Sequence, residues 1–93
     1  MKKFFYIGDI GLLGVKIGQN ENQQEAYHVF FGGRAGFEQQ LGKQVFHGVA
    51  FSELPALLEK VMKIYLERRS GNETFIQFVT RHEVSRLQEI FSN

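Results

Sequence analysis

Between Ile10 and Ile17 the chain alternates at a period of two, with Leu13, Val15 and Ile17 on one side and Gly14 and Lys16 on the other. That is the spacing of an extended strand. The next segment, Gly18 to Glu25, is wholly polar and reads as a loop. Alternation resumes from Ala26 to Phe31, with Tyr27, Val29 and Phe31 on one face and His28 and Phe30 on the other. Gly32 and Gly33 stop this second strand, because paired glycines adopt backbone angles that other residues resist. A connection over residues 34–43 leads to a third strand, Val45 to Val49, in which Val45, His47 and Val49 alternate. The connections are too short for crossover helices, so the three strands form an antiparallel meander.

The period then changes. Leu54, Leu57, Leu58, Val61, Met62 and Tyr65 recur at helical spacing, which predicts an amphipathic helix. Ser52 suits its N-cap and Pro55 its first turn. Arg68 and Arg69 suit the negative end of the helix dipole, and Gly71 the C-terminal cap. Asn72 is positioned to cap a second helix carrying Phe75, Phe78 and Val79 on one face, and Val84, Leu87, Ile90 and Phe91 mark a short third one. The apolar stripes must cover the sheet. The expected fold is therefore α+β: a three-stranded antiparallel meander followed by about three helices packed on one face. The chain reads as a single domain over residues 1–93, with strands within 4–50 and helices within 52–92.

Composition supports a folded globule: 43% of the 93 residues are hydrophobic, and ten are phenylalanine. A formal charge of +1 leaves no broad basic footprint for nucleic acid. Lys2-Lys3 and Arg68-Arg69 are read as solvated ends. The chain has no cysteine, so it offers neither a disulfide framework nor a thiolate metal site, which fits a reducing compartment. Phe4 to Ile7 follows two lysines in the manner of a leader, but Asp9 ends the apolar run. Nothing approaches the roughly 20 apolar residues that span a bilayer. These features predict a cytoplasmic protein without membrane segments.

Candidate chemistry is sparse. His28 and His47 fall inside strands and His82 ends a helix, where hydrogen-bonded histidines are the expectation and a metal site the less favoured one. Ser52 and Ser70 are read as helix-end residues, and no serine has a histidine at a telling position. The glycine cluster from Gly32 to Gly36 has two readings. It is a tight turn, or it is an anion cradle in which bare amides and Arg34 hold a carboxylate or phosphate. It matches neither the Walker loop nor the dinucleotide fingerprint.

The order of motifs carries more than any one of them. Asp9 to Gly14 (DIGLLG), Tyr27 to Gly36 (YHVFFGGRAG), Leu41-Gly42, and Asn72 to Arg81 (NETFIQFVTR) after a helix ending near YLERR together resemble the C-terminal part of the siroheme and iron–sulfur nitrite and sulfite reductase family. The resemblance runs from about Gly8 to Arg81. It implies half of the siroheme/4Fe-4S domain of those enzymes, which carry out a six-electron reduction of nitrite or sulfite with electrons from ferredoxin or a nicotinamide-driven partner. Counting back from Asp9 to the family's last cluster cysteine lands on Lys2. An ammonium group has no lone pair to give to iron, and iron–sulfur sites select sulfur. The resemblance thus implies siroheme and a 4Fe-4S cluster in the intact parent, no cofactor in this chain alone, and no catalysis by it alone. Gly32, Gly33 and Arg34 would form the siroheme-facing edge. The implied partner is the remainder of a reductase, or a second copy meeting through Phe4, Phe5 and Tyr6. The alternative is a stand-alone, non-catalytic interaction module that retains the fold.

Overall fold

A computed structural model describes residues 4–18, 23–32 and 42–92. Its strands are β1 (Phe4–Ile7), β2 (Ile10–Ile17), β3 (Gln24–Gly32) and β4 (Gly42–Ala50). They form a four-stranded antiparallel sheet in the order β1-β2-β3-β4. The meander thus has one strand more than expected. Phe4–Ile7 is too short to show a period, yet Gly8, at φ +58°, turns the chain so that Ile7 pairs with Ile10. Positive φ is what a two-residue hairpin demands and what glycine supplies. The polar loop is also shorter than expected, since Gln24 and Glu25 belong to β3; its tip lies outside the described residues.

Register decides which face of β2 is the core. Ile10 pairs with Phe31 and Leu12 with Val29, and all four are buried beneath the helices. Leu13, opposite His28, and Val15, opposite Ala26, occupy the other face and are half-buried. The more apolar side of the β2 alternation is therefore not the helix-covered side.

β4 contains two irregularities. The pairing shifts by one residue between Tyr27 and Val29, and again between Val29 and Phe30. Each shift puts an extra β4 residue into the ladder, the definition of a β-bulge. At the first, Gly48 sits at φ +59° and its N–H donates to His28 Nδ1 at 2.9 Å. At the second, the Val45 carbonyl accepts from Gln88 Nε2 at 3.0 Å.

The helical layer comprises a single 3-10 turn (Phe51–Glu53), α1 (Leu54–Arg68), α2 (Phe75–Thr80) and α3 (Val84–Phe91). Pro55 lies in the first turn of α1 as expected. Ser52 does not cap it. The 3-10 turn intervenes, and Glu53 takes the cap position without a side-chain hydrogen bond. Arg69, in extended geometry, is the C-cap, and Gly71 lies two residues beyond it at φ +57°. Thr74 rather than Asn72 caps α2. Its hydroxyl accepts from the Gln77 N–H at 3.1 Å, and its own N–H donates to Gln77 Oε1 at 2.9 Å, a complete capping box.

α2 packs on β3 and α3 on β4, while α1 leans on α3. Phe31 is the centre of the contact, with Phe75, Phe91 and Phe46 rings edge-on to it at 5.2, 5.5 and 6.2 Å. Edge-to-face geometry matches the positive rim of one ring to the negative face of the next. No helix among the described residues is long and apolar enough to cross a membrane.

Replacing Phe31 by Ala should cost about 3–5 kcal/mol, because the cavity lies where three rings converge. Equilibrium urea unfolding monitored by circular dichroism will measure it, and a cost below about 1 kcal/mol would contradict this placement of the core.

Candidate functional site: the junction of the four motifs

The four sequence motifs meet at one end of the sheet. Ile10, in the first motif, pairs with Phe31 in the second, and the Gly32 N–H donates to the Asp9 carbonyl at 3.0 Å. Gly32 pairs across β3 and β4 with Gly42 of the third motif. A Cβ on Gly32 would lie 3.2 Å from Val79 Cγ2 of the fourth. Gly32 also holds φ +82°. It is therefore glycine twice over: the backbone angle disfavours any L side chain, and α2 comes down on the place where that side chain would stand.

Lys43, the residue after Gly42, closes the junction. Its Nζ donates to the carbonyls of Val79 (2.9 Å), Thr80 (3.3 Å) and His82 (2.5 Å). These groups lie at and just beyond the C-terminal end of α2, where helix carbonyls lack intrahelical partners and the dipole is negative. One ammonium ion with three donors thereby satisfies three acceptors. Nothing in the sequence marks Lys43 for this role, because its partners are 36 to 39 residues away.

The NETFIQFVTR motif builds the turn between α1 and α2. The Glu73 carboxylate accepts from the Ser70 N–H (3.0 Å) and from Arg81 Nε (2.5 Å) and Nη2 (3.1 Å). Its carbonyl accepts from the Tyr65 hydroxyl at 2.5 Å. The Arg81 guanidinium, then the Ser70 amide, hold the Glu73 carboxyl below its ordinary value of 4.5. Arg81 also lies 5.2 Å from the Phe78 ring centroid. A shallow, solvent-open depression beside this turn is lined by Ser70, Glu73, Ile76, Gln77, Thr80 and Arg81. Its charges neutralise one another.

Of the expected cofactor edge, Gly32 stands at the junction, while Gly33 and Arg34 lie outside the described residues. The histidines do not converge. His82 Nδ1 contacts the Phe78 carbonyl at 2.7 Å, and its ring packs on Phe78. His28 and His47 lie with ring centroids 5.6 Å apart. Because His28 Nδ1 accepts a hydrogen bond, its neutral ring carries its proton on Nε2 and has no second lone pair for a metal. No group of three or more His, Asp or Glu side chains suited to a metal occurs among the described residues.

Capping and strand geometry define an α+β unit, a meander sheet with three helices on one face, whose four sequence motifs cluster at one end of the sheet. A comparison with known proteins places that unit. The chain is 34% identical over 56 residues to a ferredoxin–nitrite reductase of Synechococcus elongatus, an alignment covering 60% of this chain and 11% of the relative. In three dimensions it matches the Mycobacterium tuberculosis NirA protein with a TM-score of 0.67 at 31% identity, covering 87% of this chain and 15% of that one. No family model matches. Sequence and fold thus agree in their likeness to one part of these nitrite reductase relatives, of whose length the chain spans a small fraction.

Two measurements test the junction. Gly32→Ala should destabilise the protein by about 1–2 kcal/mol through backbone angle alone, read as a lowered urea midpoint; an unchanged midpoint would refute the left-handed backbone at Gly32. Because the fold lowers the Glu73 pKa, the stabilisation from its ionised form is complete above 4.5 and fades as the pH falls from there through the lowered native value. The difference in melting temperature between wild type and Glu73→Gln should therefore be largest near neutral pH and shrink below pH 4.5. A difference constant down to the acid limit would mean the carboxylate charge is irrelevant.

Proposed function

We propose that this chain is the C-terminal piece of a siroheme- and 4Fe-4S-dependent nitrite or sulfite reductase, contributing to six-electron reduction in the whole enzyme without being catalytic alone. The observation that carries the reading is the convergence of Asp9, Gly32, Gly42 and Val79 at one end of the sheet, in a fold shared with the NirA protein. Four motifs far apart in sequence form one structural corner, as a wall built to be packed against would require.

The residues described do not fit either cofactor as ligands. The sequence has no thiol to bind a cluster. The cations at the junction and beside it are committed, Lys43 to the end of α2 and Arg81 to Glu73. The role assigned to the chain is therefore supporting: a sheet-and-helix wall whose edge at Gly32, Gly33 and Arg34 faces the cofactor, with ligands supplied by the remainder of the reductase, which is its partner. The cytoplasm is the proposed location.

Complementation tests this reading. The Synechococcus elongatus reductase, expressed without the segment this chain matches, should bind the chain on co-expression and regain siroheme absorbance and dye-driven nitrite reduction. If the shortened reductase is folded and soluble yet neither binds the chain nor gains either signal, the reading fails.

A further inference from the structure

The bulge at Gly48 has a feature that neither its own packing nor the reductase reading explains. A backbone N–H pushed out of the ladder needs an acceptor, since an unpartnered amide costs free energy once sheltered from water. Here the acceptor is an imidazole, His28 Nδ1, at 2.9 Å from the Gly48 nitrogen. Most polar side chains in this position would accept at any pH near neutrality. An imidazole accepts only while it is neutral.

We propose that the His28–Gly48 hydrogen bond is a proton-operated latch on the β4 edge. His28 is half-buried on the face away from the helices. The lone pair that receives the Gly48 hydrogen is the one a proton must occupy, because Nε2 already carries the other hydrogen. Protonation turns Nδ1 into a donor aimed at a donor, and the bond is lost.

Among the described residues, β2 presents uncharged Leu13 opposite His28. On its own strand Ala26 and Phe30, both buried, share its face. From β4 comes the titratable His47, with its ring 5.6 Å away and its Nδ1 against Gln44 Nε2 at 2.7 Å. Gly48 holds φ +59°, and a Cβ there would meet Ile17 Cγ2 at 3.3 Å, so the bulge is built on a glycine. Release therefore opens the bulge locally, on the outer strand of the sheet. β4 also carries Lys43 and the Val45 carbonyl, so loosening begins on the strand that joins the sheet to α2 and α3.

Nuclear magnetic resonance of the 93-residue chain tests the latch. At pH 7.5 the His28 nitrogen shifts should show the Nε2–H tautomer. As His28 titrates, exchange protection of the Gly48 amide, corrected for intrinsic rate, should fall by up to about tenfold per pH unit, while the Val29 amide stays protected. In His28→Gln the side-chain oxygen accepts without titrating, and Gly48 protection should stay level over the same range. An Nδ1–H tautomer in the wild type overturns the proposal without recourse to any variant. So does a Gly48 amide that ignores the His28 titration, or one that loses protection equally in wild type and His28→Gln.

Discussion

The structure depends on β4 accommodating two residues more than the strand it pairs with. An antiparallel ladder has no place for an extra residue, so each one ejects a backbone group that must find a partner elsewhere. β4 meets this demand on both faces at once. The imidazole of His28 takes the Gly48 N–H from the strand next door, and the Gln88 amide supplies a hydrogen to the Val45 carbonyl from the helix above. With both satisfied, the strand arrives at Gly42 opposite Gly32 and at Lys43 opposite Phe31. A single bulge in place of two would turn every side chain beyond it to the other face, and Lys43 would no longer meet α2.

From that register the remaining features follow. Phe31 stands on the middle of the sheet with rings from β4, α2 and α3 around it. The bare backbone at Gly32 allows Val79 to come close, and Lys43 ties off the carbonyls just past Val79. The family motifs thus mark a place where sheet and helix approach more tightly than ordinary side chains permit. At Gly32 glycine serves the geometry of that approach.

Much of this was legible in the sequence. Helical spacing in α1 and the shared face of Phe75, Phe78 and Val79 are local periodicities, and local periodicity survives folding. Gly32 could be singled out because glycine pairs end strands. The Thr74 cap was visible too, since Thr-x-x-Gln before an apolar helix is a capping-box signature, but Asn72 offered a competing cap two residues earlier. The buried side of β2 was not legible. Leu13, Val15 and Ile17 form the more apolar set, yet cross-strand pairing with Val29 and Phe31 selects Ile10 and Leu12. β1 is too short to show a period, and the functions of Lys43, Gln88 and His28 depend on partners far along the chain. Such pairings leave no trace in spacing.

Distance along the chain has a consequence for the order of events during folding. The cap at the start of α2 joins Thr74 to Gln77, a local contact that closes quickly. The clamp at its other end joins Lys43 to residues 36 to 39 positions away, and a loop of that size must close against chain entropy before the contact can form. With only six residues, α2 is too short to persist alone. It therefore flickers from its N-terminal end until β4 has taken its bulged register and presents the ammonium group. The sheet finishes the helix, and the last turn of α2 becomes a late reporter that the strand beneath it has found its place.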